Sequence, residues 1–261
     1  MHLQILASGS GGNCALVRAG ETHLLVDAGL ELELLLGRLD AARVAPRRID
    51  HVALTHGHLD HARAAGAFSR SHGAPVHCAL ALMSNASVRP ARRLSTFTIG
   101  RRYPLAARPG DEELVLTPVL IPHDADPTVA FRMEHRGRVA ALVTDMGRPD
   151  LGALAGLSGA HLLVLEFNHD VRMLAEGPYP PNLKRRVGGP RGHLSNGEAC
   201  ALLRMLAGPE LHTLVLAHLS RVNNTPELAR GAAERTLAEI GRGDVRVVVA
   251  EQDRVGPNLE V

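Results

Sequence analysis

The sequence predicts an α/β fold in a single domain over residues 1–261, and three observations carry that expectation. Short apolar runs that read as strands recur along the chain and, beyond residue 29, alternate with stretches of helical spacing. Hydrophobic residues make up 45% of the 261, enough for a substantial core, and with aromatics at 2% and no Trp that core must be Leu, Val and Ala. No linker or low-complexity stretch is long enough to divide two domains.

Taken in order, residues 3–7 read as a first strand, followed by the glycine-rich turn Ser8-Gly9-Ser10-Gly11-Gly12-Asn13. Backbone N–H groups of such a turn could cradle phosphate. It joins strand to strand, however, and lacks the lysine and following helix of a P-loop, so a hairpin turn is expected. Residues 14–17 and 23–26 give two more strands, the latter ending in Asp27-Ala28-Gly29. Leucines at 32, 34, 35, 36 and 39 predict a helix over 30–39, closed before Pro46. A buried strand at 50–54 leads into a helix from 60 to about 71, then a strand at 75–78 and a short helix at 79–86. Residues 87–110, rich in Arg, Pro and Gly, give no assignment.

A strand at 113–121 ends at Pro122-His123-Asp124, and 129–134 with 139–143 form a hairpin that runs into Thr144-Asp145-Met146-Gly147. A helix at 150–157 precedes a strand at 161–165, which leads into Glu166-Phe167-Asn168-His169-Asp170. Residues 177–193 are expected to be a loop. Ser195, with Glu198 three residues on, forms a capping box that opens a helix ending at Gly208-Pro209. A strand at 214–216 delivers His218, Pro226 stands at the first position of the last long helix, and 245–250 is a final strand.

The net charge of +2 does not argue for a nucleic-acid partner by itself. Of 29 basic residues only Lys184 is a lysine. Cys14, Cys78 and Cys200 form no CxxC pair, which excludes a zinc ribbon and a disulfide framework and suits a reducing, cytoplasmic setting. The start of the sequence lacks the layout of a signal peptide, and no apolar run approaches the ~20 residues of a membrane span.

The densest chemistry lies in Thr55-His56-Gly57-His58-Leu59-Asp60-His61, four metal-ligand side chains on a strand-to-helix turn. A regular helix would put residues 56 and 58 on different faces, so the pair needs an extended or turning backbone. Three later residues share one feature: His123, Asp145 and His218 each follow an apolar strand, where α/β proteins assemble sites from distant sequence. Seven ligands exceed what one tetrahedral zinc needs and suit two metals sharing a carboxylate. Zinc, manganese and iron all accept such histidine and carboxylate donors, zinc foremost.

On these residues the sequence resembles the metallo-β-lactamase superfamily, whose Thr-His-x-His-x-Asp-His signature stands intact at 55–61. The similarity extends to the YycJ/WalJ-like hydrolases, regarded as DNA-processing nucleases. It is carried by residues 8–13, Pro122-His123-Asp124-Ala125, Thr144-Asp145-Met146-Gly147, Glu166-Phe167-Asn168-His169-Asp170, Gly192-His193-Leu194-Ser195-Asn196 and His218-Leu219-Ser220. The resemblance implies an αββα four-layer sandwich of two mixed sheets flanked by helices. It also implies two divalent metal ions: His56, His58 and His123 on one, Asp60, His61 and His218 on the other, Asp145 bridging, and Asp27 behind them. Hydrolysis would proceed through a hydroxide shared by the metals and oriented by Asp60, with His193 or His169 protonating the leaving oxygen. Lys184, Arg185, Arg186 and Arg191 would hold a phosphodiester, DNA above all, in a salt-sensitive way. Phe167, Tyr103 and Tyr179 are the aromatics nearest to hand for stacking on bases. A thioester, lactone or cyclic phosphate is the alternative substrate, favoured by the absence of a large inserted cap.

Overall fold

The computed structural model describes residues 1–261, apart from the side chains of Leu151 and Leu154. Its strands and helices run β1 (His2–Ala7), β2 (Cys14–Ala19), β3 (Thr22–Val26), α1 (Leu32–Ala41), β4 (His51–Ala53), α2 (Leu59–Ala62), α3 (Ala65–His72) and β5 (Val76–Cys78). Then come β6 (Leu94–Thr96), β7 (Tyr103–Leu105), β8 (Leu114–Ile121), β9 (Thr128–His135), β10 (Arg138–Val143), α4 (Leu151–Leu157) and β11 (Leu162–Glu166). The chain closes with α5 (Val171–Glu176), α6 (Pro181–Val187), α7 (Asn196–Leu206), β12 (Thr213–Ala217), α8 (Pro226–Glu239), β13 (Arg246–Val249) and β14 (Leu259–Glu260).

Among the described residues the strands form two seven-stranded sheets, ordered β14-β1-β2-β3-β4-β5-β6 and β13-β12-β11-β10-β9-β8-β7. Both are mixed. β14, β1, β2 and β3 are antiparallel and β3 to β6 parallel. In the second sheet β10 to β13 are parallel, while β7 and β8 are antiparallel. With its helices this is the two-sheet α/β class that the resemblance implied. By contact density the chain falls into two compact units: Met1–Pro118 with Met133–Arg138 and Glu251–Val261, and Val119–Arg132 with Val139–Ala250.

In the first unit the Ser8–Asn13 turn is the expected hairpin link between β1 and β2. The helix expected from 60 to 71 is broken into α2 and α3. Ala64 N donates to Ala28 O at 2.8 Å, and the Asp60 carbonyl it would otherwise use accepts from Asn13 N. The expected helix at 79–86 is a 3-10 turn, Leu80–Ser84. Within 87–110 lie β6 and β7, three-residue strands that pair with β5 and β8 in their sheets.

In the second unit β11 and β12 are buried along their whole length, as parallel strands covered on both faces must be. Ala199, Leu202, Leu203 and Leu206 turn one stripe of α7 into the core, and the Ser195–Glu198 capping box is formed as expected. Phe167, fully buried in that core, is not available to stack on a base. The stretch 177–193 is not a loop throughout, because Pro181 opens α6 and Gly188 closes it. No helix among the described residues is long and apolar enough to cross a membrane.

Candidate metal centre

Each unit gathers its own set of ligand-type side chains at strand ends. In the first, β4 runs into Thr55 and the ligand turn, with His58 extended (φ −64°, ψ 152°) just before α2. His56 and His61 are fully buried. The ring of His56 lies 4.7 Å from that of His58 and 4.2 Å from that of His61, centroid to centroid, so three imidazoles converge.

Asp27, at the end of β3, organises them from behind. Its carboxylate accepts from Thr55 N at 2.8 Å, from Thr55 Oγ1 and from His61 Nδ1 at 2.8 Å. Thr55 spends its one hydroxyl proton on Asp27, so Oγ1 accepts from His56 Nδ1 at 3.0 Å. Both imidazoles are thereby held in the tautomer that puts a lone pair on Nε2, the form a metal takes. At His61 this lone pair meets Asn13 Nδ2 at 2.9 Å, a contact that a cation on Nε2 would displace. Gly29 makes room for the turn, since a Cβ there would stand 1.6 Å from the Asp60 carbonyl oxygen. Asp60 itself keeps a quarter of its side chain exposed, its Oδ2 3.7 Å from His61 Nε2.

In the second unit the parallel register Val143, Leu165, Leu216 aligns the ends of β10, β11 and β12 on one rim. Asp145 and His218 follow those ends, and both have positive φ, 59° and 56°. Asp27, at 62°, shares this conformation. Non-glycine residues held there are strained, and such strain concentrates where a side chain must be aimed.

Glu166, fully buried at the end of β11, is the hub. Its Oε1 accepts from His193 Nδ1 at 2.8 Å and from His218 Nδ1 at 3.0 Å. Its Oε2 accepts from Met146 N at 2.9 Å and Leu194 N at 3.3 Å. Ligand atoms of Asp145, Glu166, His193 and His218 all lie within 4.8 Å of one another. His123 donates from Nδ1 to Gly192 O at 2.9 Å, leaving Nε2 3.9 Å from Asp145 Oδ1.

Burial works against the imidazolium of His193, but the Glu166 carboxylate it bonds, with Asp145 beside it, holds its pKa above the ordinary histidine value. Burial lowers the pKa of His123, and also that of His169. His169 is buried, with Nδ1 unpartnered, and belongs to none of the ligand groups found.

The basic residues expected to face substrate are partly tied to the protein. Lys184 Nζ donates to Ala175 O, Arg186 pairs with Asp124 at 2.7 Å, and Arg191 Nε donates to His123 O at 2.7 Å. Arg185 is exposed on α6. Tyr103 is engaged by His77 and Ser95.

Sequence reasoning gives Glu166 and Asn13 no role of their own. Glu166 meets the criterion that singled out Asp145 and His218, a carboxylate closing an apolar strand, and was legible on those grounds. The donor sets fit divalent transition metals: imidazole nitrogens with fixed tautomers and carboxylates beside them.

Comparison with known proteins agrees with this chemistry. The model of the metallo-beta-lactamase superfamily matches residues 7–218. "Exodeoxyribonuclease YycJ" of Bacillus anthracis is 33% identical over 250 residues, covering 93% of this chain and 91% of that protein. "Exodeoxyribonuclease WalJ" of Streptococcus pneumoniae is 27% identical, covering 98% and 97%. Among solved structures, the metallo-beta-lactamase fold protein YhfI from Bacillus subtilis matches with a TM-score of 0.73 at 19% identity, covering 98% of this chain and 99% of that one. The chain therefore belongs to the metallo-β-lactamase superfamily, in its YycJ/WalJ-like branch.

Proposed function

We propose that the protein is a metal-dependent phosphodiesterase acting on DNA as an exonuclease. One observation carries the reading: a chain similar over nearly its full length to proteins named exodeoxyribonucleases carries seven ligand-type residues at strand ends and in the 55–61 turn. In this reading residues 1–261 work as one domain that holds two divalent cations, zinc foremost, with manganese or iron as the other candidates. His56, His58 and His123 serve the first cation, Asp60, His61 and His218 the second, and Asp145 both. When bound, the cations supply Lewis acidity for activating water near neutral pH and for neutralising charge on a phosphoryl oxygen.

The chain's own groups supply the rest. Asp27 and Thr55 hold His56 and His61 in the ligating tautomer, and Glu166 does the same for His218. His193, held by Glu166 through Nδ1 and partly open to solvent, protonates the leaving oxygen from Nε2. His169 lies close enough to be influenced by His193 and Glu166, and is the second candidate for that proton. Asp60 orients the attacking water. Arg185, with the rest of the basic face of α6, receives the DNA backbone. The buried, unpaired state of all three cysteines agrees with a cytoplasmic setting.

Metal-loaded protein incubated with single- and double-stranded DNA tests the reading. Nucleotide release is expected, and it must vanish in both Asp145→Ala and His58→Ala. Activity that survives both substitutions refutes the assignment, and turnover of thioesters or lactones without DNA cleavage transfers it to small molecules.

A further inference from the structure

The first unit also holds a cavity of about 620 Å³, lined largely by arginine and histidine. One row of the first sheet lines it. His2 of β1 pairs with Arg18 of β2, and Arg18 with His23 of β3, so the three side chains leave the same face side by side. The end of β9, the turn after it and the first residue of β10 contribute His135, Arg136 and Arg138. His135 is buried beside Gly20, where a Cβ would stand 3.6 Å from the imidazole.

Arg18 is the informative member. Partly buried, it donates from Nη2 to Asn258 Oδ1 at 2.5 Å and to Gln4 Oε1 at 3.3 Å, both neutral amides. Its Nε is buried and unpartnered, and among the described residues no carboxylate forms an ion pair with it. A guanidinium withdrawn from water normally meets an anion. Glu112 answers Arg136, but Arg18 and the exposed Arg138 face only Glu260 among the carboxylate side chains of the wall. The cavity is remote from the ligand turn. β3 enters at Thr22 beside it and delivers Asp27 at the other end, about 16 Å on at ~3.3 Å per residue.

The geometry points to a second binding site here, for a phosphate-bearing ligand of nucleotide size. The volume lies within the range of small-molecule pockets. Guanidinium forks match phosphate oxygens in bidentate fashion, and a phosphate offers enough oxygens to engage Arg18, Arg138 and an imidazole together. A free nucleotide and the 5′-phosphorylated end of a strand carry the same group.

Calorimetric titration of the full-length, metal-loaded protein tests this. The ligands are dAMP, deoxyadenosine, and a short oligonucleotide with and without its 5′-phosphate. The proteins are wild type, Arg18→Gln, Arg138→Gln and the metal-centre variant Asp145→Ala. Each arginine substitution is expected to weaken dAMP binding about tenfold or more, as loss of a charge-assisted contact does. Asp145→Ala retains the site, and neither arginine variant loses hydrolysis of bis-p-nitrophenyl phosphate. Arg138 is exposed at the start of β10, so its variant remains informative should Arg18→Gln fail to fold. Tighter binding of the phosphorylated oligonucleotide than of dAMP assigns the site to strand ends, and the reverse order to free nucleotide. Binding untouched by either arginine variant, binding abolished by Asp145→Ala, or deoxyadenosine equal to dAMP overturns the proposal.

Discussion

Replacing Glu166 with glutamine removes the charge at the hub of the second unit while keeping its shape. The carboxylate accepts four N–H bonds, from His193 and His218 on Oε1 and from Met146 and Leu194 on Oε2. Glutamine has one carbonyl oxygen, so whichever way its amide lies, two of the four donors face an NH2 group. Hydrogen bonds to a charged group contribute about 1.5–3 kcal/mol each, and losing two costs about 3–6 kcal/mol. For a chain of this size about 1 kcal/mol moves Tm by 2–4 °C, so a fall on the order of 10 °C is expected. Differential scanning fluorimetry of both proteins at pH 7.5 reads this directly. Metal titration gives the second readout, because the charge on the acceptor that fixes the tautomer of His218 is gone. Losses of about 10–100-fold in affinity are typical when such a partner is removed. A variant melting within about 2 °C of wild type and binding metal equally well would show that Glu166 does not organise the rim.

Other consequences are open to simpler tests. Gly29→Ala pushes a Cβ onto the Asp60 carbonyl and should yield protein with less bound metal by elemental analysis, whereas Gly37→Ala, which meets nothing within 4 Å, should not. His51 Nδ1 and His77 Nε2 lie 3.0 Å apart, and His77 is held neutral to about pH 3 by burial, with His51 and Arg93 adding to the effect. Burial likewise lowers His51, against the pull of Asp50. A base whose folded pKa is depressed contributes stability above its unfolded pKa of about 6.5 and loses it as pH falls from there toward 3, by up to about 1.4 kcal/mol per pH unit per proton. Urea midpoints between pH 7 and 4 should therefore fall less steeply in His77→Asn than in wild type. Ser195→Ala removes the N-cap of α7 and should cost about 1 kcal/mol in urea unfolding, with hydrolysis retained. Prolonged chelation should abolish DNA cleavage, and re-addition of zinc or manganese should restore it.

Much of the candidate site was legible because its ligand-type residues sit where local pattern is strongest. His56 to His61 occupy one turn, and His123, Asp145 and His218 each follow an apolar run ending on a rim residue. Asp27 was placed by the same logic. What local pattern missed has a physical cause in each case. β6 and β7 are three residues long, too short to show a period, and owe their conformation to ladder partners in β5 and β8. Helix α6 was hidden by the density of Pro, Gly and basic residues, although Pro180-Pro181 at its start and Gly188 after it are start and stop signals. The helix break at Ala64 depends on a carbonyl of Ala28 that no window around residue 64 contains.

By itself, then, the sequence determined the fold class and the identity of the ligand-type residues, because hydrophobic period, glycine placement and the 55–61 run are local properties of the chain. Only the tertiary structure decided which carboxylate governs which imidazole. Asp27 and Glu166 fix the tautomers of His61, His193 and His218 across 27 to 52 residues of chain. It alone showed that Lys184, Arg186 and Arg191 are partly consumed by contacts within the protein, while Arg18, on the far end of a sheet, is left facing a cavity. Charge is written in composition, but whether a charge is compensated depends on what folding brings beside it.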